Sequence, residues 1–182
     1  THLYNYAENR GAYKSENAHA LHMIQRRMLH AYILFLSSTG LRVGEARQLT
    51  WGDLRWDKKT SDGDAVLVVR VRAETTKVNK EREAVSHNSH IISIMQKYQN
   101  DSAYKNDENL IFYSAARSNE GCFQVDMSAN FKAFLKSVPY KDRKDGLLKG
   151  EKEKNRTLYA LRHLYATFRL KKGVDYMALS TV

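Results

Sequence analysis

Gly40 interrupts the longest helical pattern in the chain, and what flanks it leaves few folds open. Upstream, Leu21, Ile24, Met28, Ala31, Tyr32 and Phe35 recur at helical spacing and predict one apolar face of a helix beginning at Ser15-Glu16-Asn17. Downstream, Ala65 to Arg72 is rich in β-branched residues and predicts a strand. The connection, Thr39 to Trp51, sets Arg42 near the start of a short second helix and Glu45 three residues on. A helix start favours an anion, because its free N–H groups and dipole point at it. A guanidinium there adds a planar fork of donors suited to a phosphate. Glu45, one turn away, can hold or neutralise an arginine. Taken alone, Arg42 reads more readily as a solvated helix-end residue.

Charge narrows the choice of partner. The 182 residues suit one domain, 1–182, and carry 30 Lys+Arg against 20 Asp+Glu, a net +10. Residues 141–172 hold 11 Lys/Arg and 4 Asp/Glu, and so supply +7 of that excess. A polyanion is the expected partner, nucleic acid ahead of a membrane surface. Cys122 is the single cysteine, which excludes an internal disulfide framework and a cysteine metal cluster and fits a reducing, intracellular setting. No apolar run approaches a membrane span, and no signal peptide is expected. A glycine-rich phosphate loop is missing, so nucleotide use is not expected. Asp57, Asp62, Asp64, Glu74, Asp101 and Asp107 fall mostly in turns and form no carboxylate pair for two-metal chemistry. His22 and His30 lie off the apolar stripe. His87 and His90 straddle a helix start with no third ligand at metal-site spacing, so no metal or cofactor is expected.

The remaining pattern is α+β and mainly helical, with a small antiparallel sheet. Thr50 to Leu54 turns the chain, and Asp57 to Asp64 reads as a polar turn. Arg82 to Ser86 can return beside the Ala65–Arg72 strand, which places Lys77 at or near a hairpin tip. Ser89 to Gln99 and Gln124 to Ser137 read as helices, the second with Met127, Phe131, Phe134 and Leu135 inward and ended by Pro139. Leu110 to Tyr113 is a short buried strand or turn. Tyr140 to Asn155 is a basic linker, expected to be mobile or ordered by DNA. A last full helix runs from Thr157 to about Lys172, with Leu158, Leu161, Tyr165 and Phe168 as apolar contacts. Gly173 closes it, and Asp175 begins another.

Metal-free cleavage of a DNA strand has definite requirements. Two arginines on the nonbridging oxygens offset the charge of the transition state. A lysine or histidine protonates the departing 5′ oxygen. A nucleophile that stays attached conserves the bond for rejoining. Arg42 and Arg162 suit the first role and Lys77 the second, with Lys80 as its fallback.

Three stretches together carry a family resemblance: Thr39 to Trp51, Thr76-Lys-Val-Asn-Lys-Glu-Arg82, and Tyr159-Ala-Leu-Arg-His-Leu-Tyr-Ala-Thr167. They resemble, in order, the first arginine box, the lysine hairpin and the second arginine box of the tyrosine recombinases, the phage-integrase family. The resemblance implies that family's catalytic-domain fold, with its lysine on a small β-hairpin. It implies catalytic roles for Arg42, Lys77, Tyr159 and Arg162, supporting roles for Glu45 and His163, and DNA contacts from Lys80 and Arg82. Tyr159 stands where the family usually has histidine, and a phenol carries protons poorly near neutral pH. The nucleophilic tyrosine is expected to lie outside this chain, since Tyr176 matches a packing position. The family's N-terminal core-binding domain is likewise expected to lie outside it.

The implied function is site-specific DNA integration and recombination through a 3′-phosphotyrosine intermediate, without cofactor. The partners are double-stranded attachment sites and other protomers in a tetrameric synapse, in the cytoplasm of a bacterial host and on its nucleoid. A fragment without the tyrosine is expected to bind DNA and not cut it. The alternative is a non-catalytic DNA-binding module that keeps the recombinase fold. An RNA-binding domain would show an exposed aromatic sheet motif, which the chain lacks.

Overall fold

The first long helix, α1 (Glu16–Thr39), is the spine on which the three later helices pack. The computed structural model describes residues 3, 7, 16–76, 79–86, 89–114, 121–139, 144, 146–149 and 154–175, with backbone alone for 16–20. Met28, Ala31, Tyr32 and Phe35 are buried as their spacing predicts, joined by Leu29 and Leu36. Leu21 and Ile24 continue the same period but stand exposed. The helix ends where Gly40 takes φ +70°, a conformation costly for any residue with a Cβ. Gly40 N–H donates to Leu36 O at 2.9 Å and closes the last turn.

A single turn, α2 (Val43–Ala46), follows. Leu41, Ala46, Leu49 and Trp51 are all buried and nail this segment into the core on both sides of Arg42. Three antiparallel strands come next, β1 (Leu54–Lys59), β2 (Ala65–Val71) and β3 (Arg82–Val85), with β2 central. Strand β1 corrects the expected polar turn at Asp57–Asp64: it runs on to Lys59, with Lys58 and Lys59 paired to Val66 and Ala65 of β2 past an irregularity between Arg55 and Lys58, and the turn itself is Thr60–Asp64. Leu67, Val69 and Val71 of β2 and Ala84 of β3 form the buried face. The outer face is charged, with Arg55 on Glu83 at 3.0 Å and Arg70 on Glu81 at 2.9 Å.

Three further helices complete the domain: α3 (His90–Asp101), α4 (Ser128–Ser137) and α5 (Tyr159–Lys171). Between α3 and α4, Phe112 packs edge-on against Tyr32 with ring centroids 4.6 Å apart, and lies nearly parallel to Tyr98. Helix α4 begins four residues later than its apolar pattern suggested. Gln124 instead bridges to Tyr113, and the Asp126 carboxylate accepts Ser128 N–H at 2.9 Å and starts the helix. Of the expected linker, Gly146 to Lys149 are packed: Leu148 is buried, Leu147 N–H donates to Leu135 O, and the Arg156 guanidinium holds the carbonyls of Leu147 and Lys149, while Lys144, Lys154 and Asn155 are exposed. Phe168 was expected inward but is about half exposed; Leu158, Leu161 and Tyr165 carry the buried face of α5. The helix expected from Asp175 and the position of His87 lie outside the described residues. Among the described residues no helix is long and apolar enough to cross a membrane.

Helix α5 meets α1 at Gly40, where a Cβ would overlap the Tyr165 ring. Gly40→Ala should therefore destabilise the domain by about 2–4 kcal/mol, from left-handed strain and overpacking together. In a Tyr165→Ala background the same change should cost only the backbone part. Urea unfolding of the four proteins reads the coupling, and strict additivity would mean that Tyr165 does not rest on Gly40.

Candidate active site

Arg42 is extended (φ −70°, ψ 145°) at the entry to α2, and Glu45 sits at its third position. The Glu45 side chain is 2% exposed and its carboxylate is fully engaged. Oε2 accepts the Arg42 backbone N–H at 2.9 Å, and Oε1 accepts Arg42 Nη1 at 2.9 Å. Oε2 also accepts Nη2 of Arg82 at 2.9 Å. One buried carboxylate thus fixes both the backbone and the guanidinium of Arg42, and ties them to the first residue of β3. The Arg42 side chain remains 42% exposed and can meet a ligand.

The second arginine arrives from α5. Arg162 Nη1 donates to the carbonyl of Gly40, 122 residues away in sequence and two from Arg42. Tyr165, one turn on, lies over Gly40 itself. Arg82 lies close enough to Arg42 and to Arg162 to feel the charge of both. Burial holds the Arg82 guanidinium below its usual range; Glu45 opposes this, and repulsion from Arg42 and Arg162 adds to it. Three guanidiniums against one carboxylate leave a net positive seat, suited to an oxyanion with several acceptor oxygens.

The other expected residues fall as follows. Tyr159 is 50% exposed at the start of α5, one turn before Arg162, and its ring meets His163 edge-on at 4.9 Å. Lys80 is exposed and closes a small loop: its N–H donates to Thr76 Oγ1 at 3.1 Å, and Thr76 Oγ1 reaches back to Lys80 O. Lys77 lies between these two residues in sequence and outside the described ones. Arg82 is largely enclosed, with a side chain 17% exposed. Among the described residues, no three His, Cys, Asp or Glu side chains gather where they could hold a metal ion.

Two features were not read from the sequence. The Gly40 carbonyl as the seat of Arg162 leaves no trace in residue type. The second is a matching pin on the other arm of the hairpin. Arg72, just after β2, donates from Nη2 to Gln48 O at 2.6 Å and faces Asp53 at 3.5 Å, while the Asp53 carboxylate accepts both N–H and Oγ1–H of Thr50. Both arms between β2 and β3 are therefore fastened to the Thr39–Asp53 segment by an arginine on a buried acid.

A mainly helical domain with a three-stranded antiparallel sheet, and two arginines converging beside it, is the catalytic-domain fold of a tyrosine recombinase. The model of the phage integrase family matches residues 12–182, and the chain belongs to that family. Among solved structures it is similar to the XerH site-specific recombinase bound to difH substrate, with TM-score 0.63 and 19% identity over 98% of this chain and 42% of that one. The Tn1549 transposon integrase in complex with circular intermediate DNA is similar with TM-score 0.57 and 20% identity, over 95% and 56%. XerA recombinase follows with TM-score 0.55 and 21% identity, over 94% and 55%. The chain thus spans about half the length of these recombinases. No curated protein matches its sequence.

Replacing Glu45 by Ala should cost about 3–5 kcal/mol, because it strands a largely enclosed Arg82 and frees Arg42. Glu45→Gln, which keeps an acceptor, should cost clearly less. Denaturant unfolding of the two variants checks the order, and equal losses would show that shape rather than charge matters at Glu45.

Proposed function

We propose that this chain supplies the phosphate-activating centre of a site-specific DNA recombinase that breaks and rejoins strands through a 3′-phosphotyrosine. The observation that carries the reading is the convergence of Arg42 and Arg162 beside a buried Glu45. Arg42 and Arg162 would hold the nonbridging oxygens of the scissile phosphate, where negative charge grows as the fifth ligand enters. A tyrosine hydroxyl gives its proton to solvent and attacks phosphorus, the bond to the 5′ oxygen breaks with its electron pair on that oxygen, and the leaving oxygen takes a proton. Lys77 is the proposed donor of that proton, with Lys80 as its fallback. Tyr159 would hydrogen-bond a phosphate oxygen with its phenol, its ring steadied by His163. The attacking tyrosine is not assigned among residues 1–182.

The partners under this reading are duplex attachment sites and the other protomers of a four-membered synapse, in the cytoplasm of a bacterial host and on its nucleoid. The DNA complexes of the XerH and Tn1549 proteins support the choice of DNA, as does the +10 charge. A second reading, a DNA-binding module without chemistry, draws on Tyr159 in place of a histidine.

The test is covalent trapping. The intact gene product is mixed, in EDTA, with a nicked duplex bearing its element's end sequence, and a protein–DNA adduct that survives denaturation is expected. Arg42→Ala should lower adduct formation by about 10²–10³-fold, as loss of one charge-stabilising donor does elsewhere. It should weaken duplex binding only about threefold, since one phosphate contact among several carries little affinity. Tight, salt-sensitive binding with no adduct would favour the module. Binding that collapses together with cleavage would make Arg42 a docking residue.

A further inference from the structure

We infer that Arg82 is a positioning residue that keeps the charge of Arg42 available to a phosphate by neutralising Glu45 from the enclosed side. The inference rests on the phosphate-binding role given to Arg42 and Arg162, and it adds a function to a residue otherwise counted among DNA contacts. Arg82 opens β3, opposite Val71 and on the same face as the buried Ala84. That register turns its side chain inward, toward the Arg42 segment rather than the outer face of the sheet.

Glu45 carries one negative charge and serves two guanidiniums. If Arg42 were its only cationic partner, the two would form a closed pair with no net charge to offer. Such a pair would hold an oxyanion weakly, because the Arg42 fork would already face a carboxylate. Arg82 changes that balance. It supplies a full positive charge from a position 17% exposed, against 42% for Arg42. With Arg82 in place, the cluster of Arg42, Arg82, Arg162 and Glu45 is left with a surplus of positive charge. The more exposed side chain is the one free to present it. The arrangement works against Arg82 itself: burial, together with Arg42 and Arg162, disfavours its charged form. A purely structural pin would not need to sit among like charges. Arg72 on Asp53 is such a pin, fastening the other arm of the hairpin without Arg42 or Arg162 among its partners.

The test uses inorganic phosphate and the chain of residues 1–182, at constant ionic strength. Binding is followed through the side-chain N–H resonances of Arg42 and Arg162. Wild type should show saturable shifts at both residues. Arg82→Gln should weaken phosphate about tenfold, while Arg82→Lys, which keeps the charge and loses the fork, should stay within about threefold. Arg72→Gln should lower Tm and leave phosphate affinity unchanged, which separates charge balance from hairpin anchoring. The inference is overturned if the Gln and Lys variants weaken phosphate alike, if Arg82→Gln binds like wild type, or if wild type shows no shift at the two arginines. Should Arg82→Gln fail to fold, the Lys variant decides: near-normal affinity supports a charge role, and failure to fold there too makes Arg82 structural only. Phosphate binding that depends on the charge at residue 82, in a protein that forms no DNA adduct, would remove the recombination reading and leave this one standing.

Discussion

The site depends on one buried carboxylate. Guanidiniums repel, and drawing Arg42, Arg82 and Arg162 together inside a folded domain would cost stability without a counter-charge. Glu45 supplies it from a position 2% exposed, using both oxygens and holding the backbone of Arg42 as well as its side chain. Because three donors share the carboxylate, no single arginine is fully spent on it. The surplus positive charge is what a phosphate would meet.

Gly40 is the mechanical counterpart of that electrostatic centre. Its left-handed φ ends α1 and turns the chain toward Arg42. Its missing Cβ lets Tyr165 of α5 lie against it, and its carbonyl receives Arg162. Two arginines far apart in sequence are thereby referred to one residue. The sheet is joined to the same segment by two arginine pins, Arg82 on Glu45 and Arg72 on Asp53. Both arms of the β2–β3 connection are therefore fastened to the segment that carries Arg42.

Much of the fold was legible because burial and periodicity agree along the second half of α1, along α3 and along the apolar face of α4. The failures have physical causes. Strand β1 reads Leu-Arg-Trp-Asp-Lys-Lys, mostly exposed, and exists through its ladder with β2 rather than through a pattern of its own. Leu21 and Ile24 kept the helical period, but burial depends on what lies opposite, which one segment does not reveal. Gln124 to Met127 looked helical, yet Gln124 bridges to Tyr113 and the helix starts only at Ser128, whose N–H the Asp126 carboxylate accepts. In the site, the Arg42–Glu45 contact follows from three-residue spacing. The enclosure of Arg82 was readable from its alternation with Ala84 in β3. The reach of Arg162 to a backbone carbonyl was not, since every residue has one.

The central claim is that Arg42 acts on the charge of a phosphate. It is tested most directly by removing that charge. A duplex on which adducts form is remade with a methylphosphonate, which is neutral, at the reacting position, and wild type is compared with Arg42→Ala on both. The expected result is a loss of about 10²-fold or more on the ordinary phosphate and less than about tenfold on the neutral one. Equal losses on the two substrates would contradict the claim and leave Arg42 as a residue that shapes the site without stabilising charge in it.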